Sequence, residues 1–221
     1  MLLDRDRFSL FFASLLLCFT SLGQSPASAT FVNQILAQTQ TAQHPKAEAD
    51  RLIIEGKQKL KEKQFQAALE AFEKALALYE QAKDRKGEGD ALYSTGDVYY
   101  YENKFSQALA FYEQALVIRK ELKDRTQEAT TLNDIGLSYS NLSQYPKALE
   151  FYQQALAIFK QIGDRAGVGN SLNNIGAIYK SLGQYPKALE FYKQALAIRQ
   201  QIGDRNEPIP LIPKYGNLPL V

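Results

Sequence analysis

Side chains that commonly catalyse reactions or bind metals are scarce in this chain of 221 residues. His44 is the only histidine and stands in a segment rich in Gln and Thr, outside any organised group of acids. Cys18 is the only cysteine and falls in an apolar run near the N-terminus. A base-assisted nucleophile or a histidine-bound metal requires several such groups held together, and no Gly-rich phosphate loop is present. We therefore expect no enzymatic activity, and no cofactor, metal or small-molecule substrate.

Acidic side chains recur at a fixed spacing instead. An Asp-Arg pair returns every forty residues, with its carboxylates at Asp84, Asp124, Asp164 and Asp204. A single carboxylate per repeat suits the N-cap of a helix, whereas glycoside hydrolysis, for example, needs two carboxylates flanking one bond. We interpret these aspartates as caps between repeated units.

Asparagine and tyrosine offer the chemistry of recognition. A carboxamide can donate a hydrogen bond to a backbone carbonyl and accept one from a backbone N–H, as Asn133 and Asn173 could. Tyrosine is a frequent anchor at binding hot spots, and Tyr93, Tyr100 and Tyr101 cluster in one repeat only. These side chains need a scaffold that holds them at one surface.

The scaffold follows from the repeat. Residues 172–198 match residues 132–158 at most positions without a gap. Within one unit, apolar and small residues at i, i+3, i+4 and i+7 form one helical stripe before Gly183 and a second stripe after Pro186. Each unit is therefore predicted to be a helix, a tight turn and a second helix. Small residues such as Gly176 would allow close approach beside the large Tyr192.

The phrases "LNNIG" and "YPKALEFY", and the order of Gly, Tyr and Ala around them, resemble the tetratricopeptide repeat. The forty-residue spacing is similar to the longer variant found in kinesin light chains and many bacterial arrays. The resemblance implies an all-α, right-handed α-solenoid of four helix pairs over residues 47–205. The units are placed at about 47–84, 87–124, 127–164 and 167–204. A protein or peptide partner would bind in the concave groove that the first helices line.

A helical wheel of each first helix, at about 100° per residue, assigns the side opposite the packed stripe to this groove. The candidate groove residues are Asp90, Tyr93, Asp97, Tyr100, Tyr101, Asn133, Asn141, Asn170, Asn173 and Lys180. An alternative stays open: the tyrosines and asparagines could instead bridge neighbouring first helices and belong largely to the core.

The N-terminal residues predict export. Arg5 and Arg7 precede an apolar run, and Ala27 and Ala29 provide the small residues that signal peptidase requires. We predict a signal peptide at 1–29, cleaved near Ala29, and a flexible tether at 30–46. The protein would then be periplasmic or extracellular, with membrane contact only through the signal. Whether the signal is cleaved or retained as an anchor stays open.

The net charge and the C-terminal residues limit the kinds of partner that we expect. The formal charge of +2 argues against nucleic-acid binding. In the proline-rich tail at 206–221, three prolines within six residues, Pro208, Pro210 and Pro213, interrupt what would be another first helix. The fourth unit would therefore lack its closing helix, and homo-oligomerisation through this uncapped end is a further expectation.

These features together predict a non-enzymatic scaffold for protein–protein interaction. Two alternatives remain open from sequence: the recognition arm of a larger enzyme of the caspase-like (CHAT) protease type, and a self-associating structural protein of the envelope.

Overall fold

The computed structural model describes residues 45–203, which form eight α-helices and no strand. Helix α1 covers residues 45–61. The other helices are α2 (Phe65–Ala82), α3 (Arg85–Tyr101), α4 (Phe105–Glu121), α5 (Arg125–Asn141), α6 (Tyr145–Ile162), α7 (Arg165–Ser181) and α8 (Tyr185–Gln201). Each helix packs on its neighbours in the chain, so four helix pairs stack in order. The expected all-α solenoid of tandem helix pairs is confirmed.

Three of the recurring aspartates cap first helices, as the sequence predicts, whereas Asp204 lies outside the described residues. Asp84 accepts a hydrogen bond from the backbone N–H of Gly87 at 3.1 Å, ahead of α3. Asp124 and Asp164 make the same bond ahead of α5 and α7. Each bond satisfies an N–H that the helix itself leaves without an acceptor.

The arginines of the Asp-Arg pairs link the two helices of one unit. Arg85, at the start of α3, donates to Glu121 at the end of α4 at 2.7 Å. Arg125 donates in the same way to Gln161 at 3.0 Å, and Arg165 pairs with Gln201. Since these contacts are exposed, they position the helix ends more than they stabilise the fold.

Every connection between helices turns at one residue with a positive φ, and these residues are spaced by twenty. They are Lys63, Lys83, Asn103, Lys123, Ser143, Gly163 and Gly183, and Gly203 follows α8 with the same spacing and conformation. Glycine adopts this left-handed conformation without steric cost, whereas other residues are strained there. Gly183 confirms the turn position predicted from sequence. In the first five turns, a residue other than glycine adopts the strained left-handed conformation.

Replacing Lys123 with glycine should therefore stabilise the array by about 0.5–1 kcal/mol. The change removes the left-handed strain of a φ of 55°, and the greater flexibility of glycine in the unfolded chain offsets part of the gain. Urea denaturation followed by circular dichroism measures the difference.

Gly163→Ala is the matched control, since its φ is 75° and no atom lies within 4 Å of the added Cβ. It should lose about 1 kcal/mol through backbone strain alone. A Lys123→Gly protein less stable than the parent would contradict this account of the turns.

Paired small and large residues set the spacing inside each unit. A Cβ built on Gly136 of α5 would lie 2.8 Å from the ring of Tyr152 in α6, and one on Gly96 would lie 2.6 Å from the ring of Tyr112. Gly176 meets Tyr192 in the same way. The interlock of glycine with tyrosine, predicted from the repeat, is confirmed.

Several sequence predictions concern residues at the two ends. Residues 45 and 46, which the sequence assigns to the tether, already belong to α1. The signal peptide, the rest of the tether and the segment 206–221 lie outside the described residues, so they stay predictions. Within residues 45–203, no helix is both long enough and apolar enough to cross a membrane.

Candidate functional site

Polar contacts join neighbouring first helices, and each contact spans 41 residues. The Tyr93 hydroxyl of α3 donates to Asp134 Oδ2 of α5 at 2.6 Å. About two helical turns further along, Asn141 Nδ2 of α5 donates to the Tyr100 hydroxyl at 3.1 Å. Both contacts align α3 with α5, so the second and third units present one continuous surface of first helices.

The same type of contact joins the third unit to the fourth. Asn174 Nδ2 of α7 donates to Asn133 Oδ1 of α5 at 3.1 Å. At the position equivalent to Asn133 in the fourth unit, Asn173 is 2% exposed, and its Oδ1 has no hydrogen-bond partner within residues 45–203. The carboxamide of Asn133 thus bridges helices, as the alternative interpretation foresaw.

An aromatic cluster lies at the C-terminal end of α3. The rings of Tyr100 and Tyr101 are 5.7 Å apart at 87°, and Tyr100 also meets Phe105 of α4 at 5.4 Å. All three side chains are partly exposed. The ring contacts and the bond from Asn141 hold Tyr100 in place before any ligand arrives, which lowers the entropy cost of binding.

A buried arginine underlies this part of the surface. Arg119 of α4 is 4% exposed, and its guanidinium lies 4.0 Å from the centre of the Tyr93 ring. It donates to the hydroxyl of Thr131 and, at 3.4 Å, to the carbonyl of Gln127, both in α5. Its Nη2 is 3.5 Å from Asp90 Oδ1. Arg119 therefore ties together three helices, α3, α4 and α5.

Two tyrosine–aspartate pairs complete the polar core. Tyr112 of α4 donates to Asp97 Oδ1 at 2.7 Å, and its ring lies 5.4 Å from that of Tyr93. Burial, together with the charges of Asp134 and Asp97, raises the pKa of Tyr93 well above its usual value. Burial and the same carboxylates also raise the pKa of Tyr112. Both hydroxyls therefore act as hydrogen-bond donors at any ordinary pH.

The structure corrects the placement of some predicted groove residues. Asp97 is 4% exposed and Asn173 is 2% exposed, so neither lies open at the surface. Tyr93 is partly buried and packs against the core. The wheel missed this because a first helix contacts its own second helix, the preceding second helix and the adjacent first helices.

Other predicted residues do remain accessible. Asn141, Asn170 and Lys180 are exposed, and Asp90, Tyr100, Tyr101 and Asn133 are partly exposed. Asp90 is held by Lys86 at 2.8 Å as well as by Arg119. A binding role for any of these residues stays a prediction.

The sequence analysis gave no role to Arg119, although aligning the repeats shows which residues occupy the same position. Its position corresponds to Tyr79, Phe159 and Arg199, and all four side chains are between 3% and 6% exposed. We call this position the junction slot. Glycine lies opposite the slot where it holds an aromatic ring: Gly87 faces Tyr79 and Gly167 faces Phe159. Gln127 occupies the glycine position opposite Arg119.

The buried acids of the array pair with tyrosines or arginines. Among residues 45–203, no group of three or more His, Cys, Asp or Glu side chains is arranged to hold a metal ion. Glu88 and Glu128 are buried beside Arg85 and Arg125 in structural ion pairs.

A model of the tetratricopeptide repeat matches residues 56–121 and 127–201, well over half of the chain. The chain belongs to the tetratricopeptide repeat family. The match covers most of the array, so the resemblance seen in the repeated phrases is confirmed. No curated relative of this tetratricopeptide repeat protein matches.

Solved structures share the fold. Aspartyl phosphate phosphatase F from Bacillus subtilis is 19% identical, with a TM-score of 0.69, over 72% of this chain and 42% of that one. A Rap protein complexed with competence and sporulation factor is 22% identical, with a TM-score of 0.61, over 71% and 44%. TPR-like repeats of a kinesin light chain from Podosopora anserina are 17% identical, with a TM-score of 0.56, over 67% and 73%. The array thus spans less than half of the first two proteins.

Proposed function

We propose that this tetratricopeptide repeat protein is a non-enzymatic scaffold that holds a protein or peptide partner against the surface of its first helices. Membership of the family supports protein binding in general. The structure of a Rap protein with competence and sporulation factor is an example of the same fold occupied by a partner. The position of the site on this chain is our own inference from its residues.

The preorganised aromatic cluster of Tyr100, Tyr101 and Phe105 carries the proposal. Its rings are partly exposed, restrained by edge-to-face contacts, and bordered by the carboxamide of Asn141. Tyrosine provides a large amphipathic contact area at low entropy cost, and the carboxamide can pair with a peptide backbone. An extended segment with an apolar or aromatic side chain next to an exposed peptide group fits this combination.

Replacing both Tyr100 and Tyr101 with alanine should abolish most of this binding. Peptides selected from a displayed random library against the parent array should bind the double variant at least about tenfold more weakly, because a hot-spot tyrosine contributes about 2 kcal/mol. Fluorescence anisotropy with the selected peptides measures the affinity.

Val117→Ala is the control, since Val117 is exposed to 56% on α4, away from the cluster. It should leave the affinity unchanged. The melting temperature of each variant separates a lost contact from a damaged fold. Equal affinity of the parent and the double tyrosine variant would refute the proposed site.

Four expectations stay predictions: export, the recognition-arm alternative, the envelope alternative and self-association.

The exposed position of Lys180 and Asn170 on α7 is compatible with a longer contact that reaches the fourth unit. We propose these two residues as secondary contacts.

A further inference from the structure

Helix α8, the last described helix, exposes apolar side chains whose equivalents are buried in α4 and at least partly buried in α2 and α6. Leu189 and Leu196 of α8 are 54% and 44% exposed, whereas the equivalent Leu109 and Leu116 of α4 are each 8% exposed. In α4 these leucines share one core cluster with Ala129 and Leu132 of the following first helix, among others. We call Leu189, Leu196 and the adjacent Tyr185 the terminal face.

Two buried polar side chains of the fourth unit, Arg199 and Asn173, have equivalents in earlier units that bond to the next first helix. Arg199 of α8 occupies the junction slot, where Arg119 donates to Thr131 and Gln127 of the next first helix. Asn173 Oδ1 has no partner in the described part of the chain, whereas the equivalent Asn133 oxygen accepts from the next first helix. A further helix of the same type would cover the leucines, engage Arg199 and supply a donor to Asn173.

The first helix of a second copy is a poor occupant. Helix α1 carries Arg51 and Glu55 where α5 carries Thr131 and Ile135, and both α5 residues are fully buried. Arg51 is exposed and pairs with Glu48 and Glu55 on its own helix. Stacking copies head to tail would bury these charges away from water, which is strongly unfavourable.

We propose that the terminal face binds an amphipathic α-helix of another protein, in the manner in which α5 covers α4. The interface that repeats along the array defines the chemistry of this helix. It carries apolar residues spaced like Ala129, Leu132 and Ile135, and a hydroxyl placed like that of Thr131, opposite Arg199. This surface is separate from the aromatic cluster on the first helices.

A synthetic peptide of residues 124–144 is the direct probe, because α5 is the helix that covers an arginine in the junction slot. The fluorescently labelled peptide should bind the full chain in an anisotropy titration. Leu189→Asp should weaken the binding at least about tenfold, because a charge replaces a buried apolar contact. Ile54→Asp, a similar change at the 71% exposed Ile54 of α1, should leave it unchanged.

A change of specificity tests the junction slot. The peptide of residues 164–184 carries Gly167, which packs on Phe159 in the array. The parent chain, with Arg199, should prefer the 124–144 peptide, and Arg199→Phe should reverse the preference toward the 164–184 peptide. Circular dichroism establishes that each variant is folded.

Several outcomes would overturn the proposal. One is that neither peptide binds the full chain, and another is that both bind the parent and Arg199→Phe equally well. Binding only to a chain that ends at residue 203 would show that segment 204–221 fills the face. A molar mass that doubles with concentration in light scattering, with no peptide binding, would assign the face to a second copy. The Tyr100 and Tyr101 double variant should bind the 124–144 peptide normally, which separates this proposal from the proposed function.

Discussion

Arg119→Phe should destabilise the array by about 2–4 kcal/mol, and adding Gln127→Gly should restore a substantial part of that loss. Arg119 is buried, stacks on Tyr93 and bonds to Thr131. Its removal leaves the acceptor oxygens of Gln127, Thr131 and Asp90 without their cation. Deleting one member of a buried charged network is costly for this reason.

The second substitution follows from the other junction slots. Phe159 packs where a Cβ on Gly167 would lie only 2.3 Å from its ring. The side chain of Gln127 occupies the equivalent place, so a phenylalanine at position 119 meets an obstacle that glycine removes. The capping bond from Asp124 uses the backbone N–H of residue 127 and is kept. Urea denaturation of the parent, both single variants and the double variant should give a coupling energy of about 1–2 kcal/mol.

Gln107→Gly is the matched control for this cycle. Gln107 is the third residue of α4, as Gln127 is the third residue of α5, and it is exposed. Both glycine substitutions carry the same intrinsic helix cost of up to about 1 kcal/mol. Combining Arg119→Phe with Gln107→Gly should show no coupling. If the changes in unfolding free energy are additive in both cycles, the residue in the junction slot and residue 127 do not pack as a complementary pair.

Gly136→Ala should lower the stability by about 1–2 kcal/mol, although alanine is the better helix former. The new Cβ would lie 2.8 Å from two carbons of the Tyr152 ring, which is 1% exposed and cannot move aside. Overpacking a rigid core costs about 1–3 kcal/mol, and the helix propensity of alanine returns up to about 1 kcal/mol. For an array of this size, the melting temperature should fall by about 2–8 °C.

Gly169→Ala provides the comparison, because its Cβ would meet Ile198 at an ordinary 3.4 Å. It is also an interior glycine of a first helix, so the same gain in propensity applies without the clash. We expect a melting temperature equal to or above that of the parent. If the two alanine variants have the same melting temperature, close approach to Tyr152 is not the reason for glycine at position 136.

The fold could be predicted from sequence because its determinants are local and repeated. Asp164 as a cap, Gly183 as a turn and Gly176 beside Tyr192 each follow from residue type and spacing, and the four units agree in phase. The left-handed turns at Lys63 and Ser143 carry no glycine and are visible only by alignment with Gly183.

The candidate site was harder to predict, because it depends on contacts between units. A wheel treats one helix alone, so it placed Asp97 on the open side, while the structure pairs this carboxylate with Tyr112. Arg119 looks like an ordinary basic residue near a helix end until its position is compared with that of Phe159. Contacts between side chains 41 residues apart leave no pattern within a single helix from which they could be predicted.

The turn residues with positive φ recur every twenty residues, so each connection between helices has a fixed length. One inserted residue would rotate the next helix by about 100°, so the tyrosine rings would no longer meet their glycines, and the error would pass to every unit beyond. The array can therefore be lengthened or shortened only by whole repeats. Small insertions or deletions are tolerated only outside it.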